Sequence, residues 1–153
     1  MTATPLEPFA RDDLASAETT VSAPVDRVYS LLHDVERWTG WIPEVVAPIQ
    51  HDPDSNVYRL TYLADARSRV TELRPTLVGP THRLSVEVVG RGVLHFRTRP
   101  HGDTTLLDAR FEPVKRRTEM IGSRRRRSKR SMKLSRLLDL ARRSAEGEPS
   151  ESG

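Results

Sequence analysis

The densest chemistry in this 153-residue chain is the run Arg124-Arg125-Arg126-Arg127-Ser128-Lys129-Arg130, six cations within seven residues. Such a cluster can neutralise nucleic-acid phosphates or anionic lipid head groups, with an affinity that falls steeply as salt rises. The plainer reading is a solvated helix face offset by an acidic body, and the sequence weighs the two about evenly. No aromatic residue interrupts the run, which counts against stacking on single strands. No nucleic-acid reading motif accompanies it, so any nucleic-acid binding would be nonspecific. Arg125-Arg126-Arg127-Ser128 also matches the simple pattern of a basophilic kinase site.

The other reactive side chains are scattered. There is no cysteine, which excludes a disulfide framework, a thiolate metal site and a cysteine nucleophile. His33, His51, His82, His95 and His101 show no zinc-ligand spacing, and no metal is expected. His33 and Asp34 are adjacent, so on a helix they point about 100° apart and do not face each other. Asp34 is better placed to cap a helix. No GxSxG, glycine-rich phosphate loop or paired carboxylates are present, and no cofactor is implied.

Charge separates the two ends of the chain. Between Lys115 and Arg143 stand 13 basic residues against two acidic ones, whereas the remainder is net acidic. That asymmetry predicts either an electrostatic task for the basic end or a basic helix lying against its own acidic body. Arginine outnumbers lysine 22 to 3, a bias that GC-rich coding also produces. The first residues are polar and proline-bearing, and no segment approaches the roughly 20 apolar residues of a membrane span. A cytoplasmic protein is the expectation.

The length suits one domain with a real core. We divide it into a flexible stretch 1–12, a folded domain 13–146 and a disordered tail 147–153. A strand is expected over about Leu14–Ser22. Ala23-Pro24 breaks it, and Val25, Val28, Tyr29 and Leu32 then fall on one helix face, with Pro24 suited to a helix start. A second helical turn over Val35–Thr39 leads through Trp41 to Pro43, where regular structure stops. From Val45 to Pro113 the chain reads as a meander of antiparallel hairpins cut at Asp52–Asn56, Gly79-Pro80, Gly90–Gly92 and Pro100–Asp103. Tyr58, Leu60 and Tyr62 share one face, as do Leu84, Val86 and Val88, then Leu94, Phe96 and Thr98, then Thr105, Leu107, Ala109 and Phe111. The opposite positions, including His95, Arg97 and Asp108, are polar, so one face is expected buried and the other wet.

The cover for the buried face is a helix over about 119–145, long enough to span roughly 40 Å. Met132, Leu134, Leu137, Leu138 and Ala141 supply its apolar side. Its beginning carries only Ser128, Ser131 and Ser135 on the inward line. Either the helix starts near Lys129, or its first turns face water at the mouth of a pocket.

The segment Thr19–Pro43, TTVSAPVDRVYSLLHDVERWTGWIP, is a strand, a short helix and a tryptophan-bearing turn. It resembles the opening of the START and polyketide-cyclase superfamily, also called SRPBCC. The resemblance implies an α+β helix-grip fold: a curved antiparallel sheet of about six or seven strands around a long C-terminal helix, with two short helices after the first strand. It also implies a pocket for a hydrophobic small molecule or lipid between sheet and helix. The candidate lining is Trp41, Tyr58, Tyr62 and Leu84 with Phe96, Phe111, Met132 and Leu138, for each of which core filling is the plainer role. Only 5% of the chain is aromatic, which argues against a large ring-lined cavity. Arg124, Arg125, Arg126, Arg127, Lys129 and Arg130 would attract an anionic head group or membrane surface.

Cyclase members of the superfamily need an acid or base poised over a polyketone chain. Tyr62, Glu72 and His95 are the positions that could serve, and none is singled out as catalytic. Three functions follow: carriage of a hydrophobic ligand first, a polyketide cyclase or aromatase second, and an adaptor holding nucleic acid or an anionic surface third.

Overall fold

A computed structural model describes residues 8–10, 14–78, 82–114 and 123–147. Among these residues seven strands make one antiparallel sheet: β1 (Ala15–Val21), β2 (Val45–Asp52), β3 (Val57–Ala64), β4 (Arg67–Val78), β5 (Arg83–Val88), β6 (Gly92–His101) and β7 (Thr104–Pro113). Their order is β1-β7-β6-β5-β4-β3-β2, so the chain crosses from one sheet edge to the other between β1 and β2. That crossing holds α1 (Val25–His33) and a 3-10 helix (Val35–Gly40), and α2 (Ser123–Ala145) follows β7. The α+β helix-grip architecture is therefore present, with both short helices where the opening segment put them.

Local chemistry accounts for α1. Pro24 adopts φ −67° and ψ 153°, the extended geometry of a helix-capping residue, and its carbonyl accepts from the N–H groups of Arg27 and Val28. Val28, Leu31 and Leu32, spaced three and four apart, are buried against the sheet. Asp34 does occupy the capping position of the 3-10 helix, yet its side chain makes no capping hydrogen bond. Trp38 anchors that helix, its indole N–H donating to the Leu32 carbonyl at 3.0 Å.

The core is built by register. Leu84 lies opposite Phe96, which in turn lies opposite Ala109, while Val86 faces Leu94 and Thr98 faces Leu107. All of these are buried on the inner face. One hairpin has no glycine or proline to announce it: Asp65 and Ala66 join β3 to β4 with φ of 52° and 64°. Positive φ at both loop residues gives the twist that a two-residue hairpin needs, and aspartate tolerates it better than most.

The helix α2 packs chiefly on β1, the strand at the sheet edge. The Ser16 N–H donates to Ser131 Oγ at 3.1 Å, and the Ser22 N–H donates to Glu146 Oε2 at 2.9 Å. Fifteen helical residues rise about 22 Å and six extended residues about 20 Å, so helix and strand run in parallel and stay matched from end to end. An amide of the edge strand and the one just beyond its end are thereby satisfied, and the helix covers an edge otherwise open to pairing. Leu134, Leu138, Ala141 and Ala145 are the residues this docking buries.

The outer face is not uniformly wet. His95 lies there, as its alternation predicts, but is 9% exposed. Its imidazole bridges Ser85 Oγ at 2.7 Å and Glu112 Oε1 at 3.1 Å. Phe9, in the short 3-10 helix Pro8–Ala10, sets its ring edge-on to His95 and lies under the Arg97 guanidinium at 4.5 Å. A residue from the stretch expected to be flexible thus covers the centre of the outer sheet.

Candidate functional site

Between α2 and the lobe formed by β5, β6 and the end of β7 the sheet curls away from the helix and leaves a cavity of about 680 Å³. Val88, Leu94, Phe111 and Leu134 form its apolar wall. Arg91, from the β5–β6 turn, and Arg130 and Lys133, from α2, stand around its mouth. Arg130, Lys133 and Leu134 are spaced three and four apart, so one helix stripe carries both cations and the apolar contact.

The turn that bears Arg91 is fixed by backbone bonds, since the Arg91 N–H donates to the Val88 carbonyl and the Arg91 carbonyl accepts from the Val114 N–H. Gly90 permits the turn with φ 82°. Gly92 opens β6 where the Phe111 ring and the Pro113 backbone approach it too closely for any side chain. Arg130 holds its guanidinium over the Phe111 ring, 5.3 Å from the centroid.

Of the eight pocket candidates read from the sequence, Phe111 lines this cavity. Leu84, Phe96 and Leu138 are buried core residues that touch other side chains instead of open space. Tyr58 and Tyr62 are half-buried on the inner face further along the sheet, and Tyr58 stacks on His51 at 4.1 Å. Burial first, and then the negative charges of Glu36 and Asp34, raise the Tyr58 phenol above its ordinary value, so it stays protonated.

Met132 is a correction: it is 71% exposed. It stands two positions before Leu134, a rotation of about 200°, so docking Leu134 inward turns Met132 to water. Trp41 is buried at the far end of α2, edge-on to Trp38 at 5.7 Å, and its indole N–H has no partner among the described residues. It borders an outer groove with Leu31 and Leu140, away from the cavity mouth.

The arginine run begins α2, whose first described residue is Ser123, so these positions are helical and the helix does not wait for Lys129. The side chains of Arg124, Arg125, Arg126 and Arg127 lie outside the described residues, as do residues 119–122. Lys129 is exposed and Arg130 reaches the cavity. Sequence reasoning missed Arg91 and Lys133 as site residues because nothing local marks a turn or a helix stripe as facing a void. Val88, Leu94 and Leu134 were legible as inward positions, though not as open ones.

The three acid–base candidates do not meet. Glu72 is on the outer face, 3.5 Å from Arg59. His95 is held under Phe9, and Tyr62 is on the inner face of β3. No carboxylate or imidazole lines the cavity among the described residues. Nor do those residues include a cluster of three histidine, cysteine or acidic side chains able to hold a metal ion, or a helix long and apolar enough to cross a membrane.

The model of one protein family, described as polyketide cyclase / dehydrase and lipid transport, matches residues 21–128. The chain belongs to this family. The match includes β2–β7 and the cavity's Arg91, Leu94 and Phe111 but ends just before Arg130, Lys133 and Leu134. Among solved structures, a START superfamily protein of Mycobacterium smegmatis superposes with a TM-score of 0.67 at 18% identity, covering 87% of this chain and 97% of that one. The Zhui aromatase/cyclase of a Streptomyces species gives 0.63 at 16% identity, covering 87% and 93%. A protein of Thermus thermophilus gives 0.66 at 16% identity, covering 90% and 99%. At such identities the likeness is one of fold. No curated protein matches the sequence.

Proposed function

We infer that this polyketide-cyclase family chain binds a hydrophobic small molecule or lipid noncovalently in the cavity between α2 and the β5–β7 lobe. The observation that carries this reading is an apolar wall of Val88, Leu94, Phe111 and Leu134 around about 680 Å³ of space. Ligand sites commonly measure roughly 300–1,000 Å³ and are mostly apolar with a few placed polar groups. Apolar residues facing an open cavity gain contacts when a ligand fills it, which favours occupancy.

A second reading, ring closure of a polyketone chain, draws support from the family description and from the aromatase/cyclase among its structural neighbours. General acid–base catalysis requires a proton donor or acceptor within hydrogen-bond reach of the reacting atoms. Tyr62, Glu72 and His95 are dispersed over two faces, so binding without turnover fits the cavity better.

The test is to purify the protein from its own host, denature it, and identify released small molecules by mass spectrometry, alongside thermal melts with added apolar compounds. A stoichiometric hydrophobic molecule is expected. A ligand at about 100 times its Kd raises stability by about 2.7 kcal/mol. An empty protein that no apolar compound stabilises, yet that retains nucleic acid at low salt, would replace this reading with the adaptor role for the basic helix.

A further inference from the structure

The mouth of the cavity has a charge pattern that a purely hydrophobic ligand does not use. Arg91, Arg130 and Lys133 stand around it, and among the described lining residues there is no carboxylate. Several other cations of the sheet and helix are paired, Arg74 with Glu87, Arg97 with Asp108, and Arg136 with Glu44, whereas Arg67, Arg69 and Lys129 stand exposed on the outside of the molecule. Among the described residues Arg91 and Lys133 have no ion-pair partner and, unlike those outer cations, they line the cavity. Arg130 is spent on the face of Phe111, which fixes a cation at the boundary between the apolar wall and water. Three positive charges from two elements therefore converge where a ligand seated against Leu94 and Leu134 would leave the cavity.

We propose that the site selects amphipathic anions, with the apolar body against Leu94, Phe111 and Leu134 and a single carboxylate or phosphate held at the mouth by Arg91, Arg130 and Lys133. The proposal rests on the pocket reading above and adds the chemical class of its ligand. An anion at the mouth keeps part of its hydration, so it avoids the full desolvation cost of a buried charge while gaining charge-assisted hydrogen bonds. The apolar wall alone would take a neutral alcohol as readily. Discrimination must come from the three cations, and it must weaken as salt screens them.

The experiment measures binding of dodecanoate, dodecyl phosphate and the neutral isostere dodecanol, each below its aggregation threshold, at low and high salt. It uses the wild-type protein and the double variant Arg91→Gln/Lys133→Gln. Both side chains are exposed, so the variant is expected to melt like the wild type. The anions should bind the wild type about tenfold or more tightly than dodecanol at low salt, as hydrogen bonds to charged groups allow. That ratio should fall toward one in the variant and shrink with salt. Equal binding of acid and alcohol by the wild type would overturn the charge selection and leave the pocket reading standing. Binding of none of the three would remove both. Capture of anionic vesicles without binding of any monomer would assign the cations to a surface role and overturn the proposal. Should the variant melt lower, the salt series on the wild type decides alone.

Discussion

Substituting Gly92 with alanine probes the closest packing at the cavity wall. A Cβ there would overlap the Glu112 carbonyl oxygen and stand 2.8 Å from Phe111 Cζ and 2.9 Å from Pro113 Cα. Ordinary contact begins near 3.4 Å. Two of the three obstacles are backbone, so relief requires β7 itself to move by about half an ångström or more, and Phe111 with it. Overpacking of this kind costs about 1–3 kcal/mol. The lower entropy of an unfolded alanine chain returns about 0.4–1 kcal/mol, but the φ of 156° at Gly92 is strained for alanine and costs about 1–3 kcal/mol more, leaving a net loss of at least about 1 kcal/mol. For a chain of this size that lowers the melting temperature by at least about 2 °C. Gly40 is the control, because a Cβ there meets nothing within 4 Å and its φ is not in the left-handed region. Differential scanning calorimetry of Gly92→Ala and Gly40→Ala reads both. A Gly92→Ala protein as stable as Gly40→Ala would refute the close approach of β6 and β7 at the cavity wall.

Other substitutions test the helix, the core and the outer face. Leu138→Ala should cost about 2–5 kcal/mol in urea unfolding, because the side chain is 1% exposed and its removal leaves a void. Thr105→Val should cost about 1–3 kcal/mol, since the buried Thr105 hydroxyl donates to the Ala23 carbonyl at 2.7 Å and valine would leave that carbonyl unpaired. Ser131→Ala removes the acceptor of the Ser16 N–H and should cost about 1 kcal/mol, with faster hydrogen exchange at Ser16 as its local signature. Glu18 lies directly opposite Asp108, and the shared hydrogen bond, then their repulsion, raises the Glu18 carboxyl above 4.5. A raised acid pKa means the folded state binds the proton more tightly. The penalty for ionising Glu18 is therefore absent below the unfolded pKa and fully present above the folded one. Glu18→Gln should accordingly stabilise the protein at neutral pH and lose that advantage on acidification to below 4.5; an equal effect at both pH values would contradict it.

Much of the fold was legible because two periodicities dominate the sequence. The period-two alternation through Leu84–Val88 and Leu94–Thr98 assigned the inner face correctly, since a pleated strand leaves side chains no third option. The helical spacing of Val25, Val28, Tyr29 and Leu32 did the same for α1, where Val28 and Leu32 are buried, Val25 and Tyr29 half-buried, and Leu31 is buried beside them. The hairpin at Asp65-Ala66 escaped notice because Asp65 stands without a glycine or proline beside it, and positive φ at alanine is set by the strands on either side. The phase of α2 was harder. Met132 and Leu134 are both apolar and only two residues apart, and which of them faces inward goes with Ser131 meeting the Ser16 amide of β1 and Glu146 meeting the Ser22 amide just beyond it.

The cavity was less legible than the fold. Whether an inward residue fills the core or lines a space depends on how far the sheet curls from the helix, a property of the whole sheet and not of any one strand. Phe96 and Leu94 share the inner face of one strand, yet Phe96 is sealed while Leu94 opens onto the cavity. Likewise His95 reads as a surface residue until Phe9, 86 positions earlier, lies over it. Long-range coverage of this kind has no local signal.

The most direct test of the account is to label the methyl groups with carbon-13 and record intermolecular nuclear Overhauser effects with bound dodecanoate. The account predicts contacts from the alkyl chain to the methyls of Val88, Leu94 and Leu134, and none to Val46, Leu63 and Val70, which are exposed elsewhere on the sheet. Contacts confined to those exposed residues, or to the groove beside Trp41, would contradict a ligand site between α2 and the β5–β7 lobe.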